Sequence, residues 1–95
     1  MDYLEKYNFT KDDISSFIED VPASVIEILE ENKKQVCNNI KYLRELGINN
    51  YKDVFINYYE LFLNDDTNFR AIFEKYDRDD LIDKVAKNIN IVEYL

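Results

Sequence analysis

Few residues in this chain have types and spacing that suit chemistry. There is no histidine and a single cysteine, Cys37. Without imidazole, His-based acid–base catalysis, Ser-His and Cys-His nucleophiles and the usual imidazole metal sites are out of reach. Cys37 has a reading as a nucleophile or redox thiol, but Val36 and Ile40 flank it and cysteine is among the most buried residues, so it reads as core. Asp77, Asp79, Asp80 and Asp83 have the composition of a calcium loop. DRDDLIDKVAKN nevertheless lacks both the glycine of the sharp turn and the glutamate at its twelfth position. These acids read instead as the cap and first turn of a helix. Glu27, Glu30 and Glu31 suggest a carboxylate pair for a metal or for glycoside cleavage; on a helix without histidine partners they read as a solvated face. The expectation is no catalytic residue, no metal, no cofactor and no enzyme.

Two groups of side chains suit binding. Lys33, Lys34, Lys41 and Arg44 concentrate positive charge, with no acid between residues 32 and 44. They form the one stripe that would contact phosphate. The plainer reading is dipole matching on a single helix that begins with Glu27, Glu30 and Glu31 and ends in bases. The second group is aromatic. Eight tyrosines exceed what a small core hides with every hydroxyl satisfied, and tyrosine is favoured at protein interfaces. Tyr51, Tyr58 and Tyr59 are the expected interface residues, and rings packed at the core edge with wetted hydroxyls are the alternative.

Composition bounds the molecule that holds these groups. Ninety-five residues, 46% apolar, suffice for one domain with one core, residues 1–95. A single glycine and a single proline are too few for a β-sandwich or barrel and point to helices with capped connections. The net charge of −8 disfavours nucleic acid and anionic lipid and favours basic partners. No apolar run approaches a membrane span, the N-terminus has no signal-peptide pattern, and one cysteine makes no intrachain disulfide. The expectation is a soluble, cytoplasmic protein.

Helical periodicity runs through the chain. Ile14, Phe17, Ile18 and Val21 share a face, with Thr10 as N-cap, Asp13 completing a capping box, and Val21-Pro22 as the stop. After Ser24, a cap candidate, Val25, Leu29, Val36, Ile40 and Leu43 fit one long helix to Leu46, or two with a bend at ENKK, residues 31–34. Gly47 suits a left-handed helix stop. Tyr51, Val54, Phe55, Tyr58, Tyr59 and Phe62 predict one helix. Phe69 to Tyr76 predicts another, after the caps in NDDT, and Leu81 to Ile89 a last one behind Asp77. The tail INIVEYL fits either a helical turn or an extended end.

YLEKYNF at 3–9 and YLRELGI at 42–48 echo one another. Leu4, Tyr7 and Phe9 correspond to Leu43, Leu46 and Ile48 at a constant offset of 39, and matching second helices follow. A third copy begins at Phe73-Glu74-Lys75-Tyr76. Each unit would be a helix, a capped turn and a second amphipathic helix, stacked to bury faces that neither helix can bury alone. These units resemble the mitochondrial transcription termination factor (mTERF) family, whose repeats run leucine, leucine, "lGi", a turn, and a helix ending near proline. YLRELGI matches best, and DDISSFIEDVP at 12–22 looks like the second half of such a unit. The resemblance implies an all-α stack of five or six short helices in two to three helix-turn-helix repeats.

Three functions follow as expectations. The first is a non-catalytic interaction module that binds a protein partner or itself through a tyrosine-lined or acidic surface. The second is a divergent mTERF-like nucleic-acid binder using the stripe at Lys33, Lys34, Lys41 and Arg44. The third is an acidic inhibitor that mimics nucleic acid and binds a basic protein.

Overall fold

Capping chemistry sets most helix starts. Thr10 Oγ1 accepts from the Asp13 N–H at 3.0 Å while the Asp13 carboxylate accepts from the Thr10 N–H at 2.9 Å, the reciprocal pair of a capping box. The helix it opens, α1 (Lys11–Asp20), stops at extended Val21, before Pro22. Asp65 and Asp77 cap two later helices in the expected manner, accepting from the N–H groups of Asn68 and Asp80. Ser24 does not cap: Pro22 stands at that position and supplies only its carbonyl, to Val25 and Ile26.

The computed structural model describes residues 1–95, and every regular element in it is helical. After a 3₁₀ helix at Asp2–Tyr7 come α1, α2 (Ala23–Glu31), α3 (Lys33–Leu46) and α4 (Tyr51–Asn57). A second 3₁₀ helix, Tyr59–Leu63, precedes α5 (Asp66–Glu74) and α6 (Arg78–Lys87), and a third, Ile89–Tyr94, ends the chain. The segment at 25–46 is therefore two helices, broken at Asn32, whose side chain donates to the Ile28 carbonyl at 2.8 Å.

The helix expected over Tyr51–Phe62 is corrected. It stops at Tyr58 (φ −133°, ψ 42°) and resumes as a 3₁₀ helix. Packing explains the break. Phe55 and Phe62, seven residues apart, would lie about 10 Å apart along a continuous α-helix. Folding back brings their ring centroids to 5.2 Å. Asn39 and Gln35 of α3 hold the folded-back segment: the Asn39 amide donates to the carbonyls of Phe62 (3.0 Å) and Asn64 (2.9 Å), and the Gln35 amide donates to that of Leu63 at 2.5 Å. The tail is settled as a 3₁₀ helix, begun by Asn88, whose side chain accepts from Asn90 N–H.

The nine elements fall in order into three sets, each with a first element, a second helix and a third. The sets are the N-terminal 3₁₀ helix with α1 and α2; α3 with α4 and the central 3₁₀ helix; and α5 with α6 and the C-terminal 3₁₀ helix. The first elements pack as a row, with α3 between the N-terminal 3₁₀ helix and α5. Within one core, all six phenylalanines join in a chain: Phe9 and Phe17 meet Phe55, then Phe62, Phe69 and Phe73, with successive centroids 5.0–5.8 Å apart. Ile18 is an exception to its expected face, being 45% exposed.

The echoed stretches close with the same hydrogen bonds. Asn8 (φ 69°) donates to the Glu5 carbonyl and Phe9 to that of Leu4; Gly47 (φ 106°) donates to Arg44 and Ile48 to Leu43. Both turns are left-handed helix stops of the Schellman kind. The corresponding turn at Tyr76 is different, because Lys75 there stays right-handed. Side chains from the following set secure both left-handed turns. Tyr51 Oη donates to the Tyr7 carbonyl at 2.7 Å and Lys52 Nζ to that of Asn8 at 3.1 Å; Arg78 Nε donates to that of Leu46 at 2.9 Å.

Candidate functional site

The break at Tyr58 opens a groove on the surface with an apolar lining. Where α4 stops, Tyr58, Tyr59 and Leu61 turn along one wall, and Val92 of the C-terminal 3₁₀ helix supplies the other. The groove has about 540 Å³ of free space. Tyr58 Oη donates to Asn90 Oδ1 at 3.1 Å, linking the two walls. Tyr59 sets its ring edge-on against Phe17, with centroids 5.6 Å apart, so it is braced from behind while its own surface stays half-exposed. Glu60 and Glu93 rise on opposite walls, both exposed, and neither meets a cation. No lysine or arginine lines the groove.

Of the expected interface tyrosines, Tyr58 and Tyr59 meet here and Tyr51 does not. Tyr51 is 6% exposed, with its hydroxyl spent on the Tyr7 carbonyl and accepting from Asn8. It is a core residue that clamps a turn. Glu60, Leu61, Val92 and Glu93 were not singled out from sequence, although the third elements carried a signal. Those elements hold Glu27, Glu30, Glu31, Glu60 and Glu93 and no lysine or arginine. The first elements hold Lys6, Lys33, Lys34, Lys41, Arg44 and Arg70.

The basic stripe stays exposed on α3. Because residues 25–46 form two helices, the glutamates belong to α2, and Lys33 and Lys34 sit in the first turn of α3, where the dipole disfavours cations. Dipole matching therefore accounts for Arg44 in the last turn but not for the two lysines. Arg44 also lies over the Tyr7 ring at 5.2 Å, and Lys41 approaches Glu45 at 4.0 Å. Lys6 of the N-terminal 3₁₀ helix joins Lys33 beside Cys37, where both favour the thiolate. Burial outweighs them and pushes the Cys37 thiol up; the nearby Tyr7 hydroxyl is raised as well, mainly by burial.

Three of the four acids at the start of α6 have structural partners: Asp77 caps the helix, and Asp80 and Asp83 pair with Lys84 and Lys87, each at 2.9 Å, while Asp79 lies in the first turn. Glu30 meets the N-terminal amine. No three acidic or sulfur side chains converge as a metal would require, and no helix is long and apolar enough to cross a membrane. Compared with known protein families, curated proteins and solved structures, the chain finds no match.

Proposed function

We propose that the three sets are successive helical repeats and that the protein is a non-catalytic interaction module. On this reading, a segment of a partner protein lies in the groove between the second and third sets. The repeat reading is supported by the recurring order of elements, the two equivalent left-handed turns, and the resemblance to mTERF units in YLRELGI. The observation that carries the binding reading is the groove itself, where Tyr58, Tyr59 and Leu61 keep half-exposed apolar surface at a site braced by Phe17 and Asn90. Rigid aromatic surface with a polar tip gives contact area at low entropic cost.

Panning a displayed library of random peptides against the folded protein tests this. Recovered peptides are expected to shift the methyl resonances of Leu61 and Val92 and to lose at least about tenfold in affinity on Tyr58→Ala, the loss of one interface anchor. Peptides that leave those methyls unmoved, or an unenriched library, would overturn the groove as the site.

A second reading has one observation in its favour: Lys33 and Lys34 begin α3 against its dipole, and Lys6 extends their patch. Nucleic acid is the partner class that would use them. A salt titration of binding to single- and double-stranded nucleic acid separates the two readings. Binding that weakens steeply with salt and fades in Lys34→Ala/Lys41→Ala/Arg44→Ala supports the stripe.

A further inference from the structure

We propose that the groove is selective for a cationic segment, an extended peptide with an apolar anchor flanked by arginine or lysine. This rests on the groove being the binding site and adds the chemistry of its ligand. The apolar and the charged parts of the lining ask for different things. Leu61, Val92 and the two tyrosine rings suit an apolar side chain. Glu60 and Glu93 stand on opposite walls without cation partners. A neutral or acidic ligand that covered them would strip water from unpaired carboxylates, which is costly. A ligand with a base on each side of its anchor pairs both. Arginine fits best, because a guanidinium can pair a carboxylate and lie over a tyrosine ring.

The wider charge pattern points the same way. In the two 3₁₀ helices that wall the groove, Tyr59–Leu63 and Ile89–Tyr94, the charged side chains are Glu60 and Glu93 alone, and the net charge of the chain is −8. A cationic peptide is thus drawn to the groove and an anionic one is turned from it, mostly through the association rate.

The test uses three peptides of one sequence, with an apolar centre and arginine, glutamine or glutamate at the flanks, titrated into the intact protein. The arginine peptide is expected to bind at least about tenfold tighter than the glutamine peptide, with the advantage shrinking as salt rises from about 50 to about 500 mM. Glu60→Lys/Glu93→Lys should reverse the order and favour the glutamate peptide. Glu27→Lys/Glu31→Lys, which reverses the same number of charges on α2, should keep it. Equal affinity for all three peptides, with the Leu61 and Val92 methyls still shifting, would overturn the charge selectivity and leave the groove standing. Binding that ignores those methyls would overturn both. An order reversed equally by the α2 pair would reduce the preference to net charge and overturn the role of the groove glutamates.

Discussion

Asn39 is the one fully buried polar side chain, and its work is specific. Its amide N–H groups hold two carbonyls of the folded-back segment, while its own Oδ1 has no partner. Asn39→Leu removes both donors and keeps the shape, leaving the carbonyls of Phe62 and Asn64 unpaired. A loss of about 3 kcal/mol is expected, read by urea denaturation. Asn39→Asp should cost more at neutral pH, since it sets a carboxylate against those same carbonyls. Equal stability of Asn39→Leu and wild type would show that water satisfies the segment.

Cys37 offers a second measurement at this scale. Its raised thiol and half-buried position predict alkylation at least about tenfold slower than for a cysteine in a short peptide near pH 8, with ordinary reactivity on denaturation. Tyr3, Tyr7 and Tyr42 are likewise raised, in each case mainly by burial. A raised folded pKa means that the group's contribution to stability is complete below its unfolded pKa and is lost as pH rises through the folded one. Stability should therefore decline on the alkaline side, which thermal melts between about pH 8 and 11 would detect. Residue type pointed to burial for Cys37, but not to which tyrosine hydroxyls are buried. Tyr51 and Tyr58 have the same side chain and lie on the same helical period, and only the turn at Tyr7 decides which hydroxyl is buried.

At the scale of the element, the two left-handed stops make a matched comparison. Gly47 sits at φ 106°, and a Cβ there would meet Ile82 Cδ1 at 3.0 Å. The contact is with a side-chain tip that can move, so the cost of Gly47→Ala is mainly backbone, about 1–2 kcal/mol. Asn8 already tolerates φ 69°; Asn8→Gly should change stability by less than about 0.5 kcal/mol, and Asn8→Val should cost more than about 1 kcal/mol. Differential scanning calorimetry on the three variants checks the ranking. At the other end of the turn, Thr10→Ala should cost about 1 kcal/mol through the lost cap. Asp13, its partner, is held below the usual carboxylate range, first by the Thr10 backbone N–H. Its contribution is thus present above the unfolded carboxyl pKa and lost as pH falls through the lower folded one. The starts behind Thr10 and Asp77 and the stops at Pro22 and Gly47 were legible for a physical reason, since caps act within four residues; the start of α2 was not, Pro22 standing where Ser24 was expected. Nor was the break at Tyr58. It depends on rings and amides that lie far off in sequence, and a period of 3.6 runs unbroken through it.

For the molecule as a whole, α3 is the element that couples the sets. It packs against the N-terminal 3₁₀ helix, α2, α4, the central 3₁₀ helix and α5. Together with a single phenylalanine chain, this predicts one cooperative unfolding transition, with ellipticity and tyrosine fluorescence melting together. Two separated transitions would mean that the sets unfold as independent units. The radius of gyration, 12.9 Å, is that of a compact chain of this length. The all-helical architecture was legible because one proline and one glycine are too few for the turns of a β fold. The groove was only half legible: two of its tyrosines stood out, whereas Glu60 and Glu93 gained meaning only when the break and the tail were brought side by side.

The clamps on the two left-handed turns also give the chain a direction. The Tyr7 and Asn8 carbonyls wait for Tyr51 and Lys52, each 44 residues later, and the Leu46 carbonyl waits for Arg78, 32 residues later. During synthesis from the N-terminus, each turn would emerge before its lock has been made. A nascent chain halted before residue 51 would hold its first turn open, and one halted before residue 78 its second. Maturation would thus proceed as a sequence of deferred closures, each completed by the set that follows.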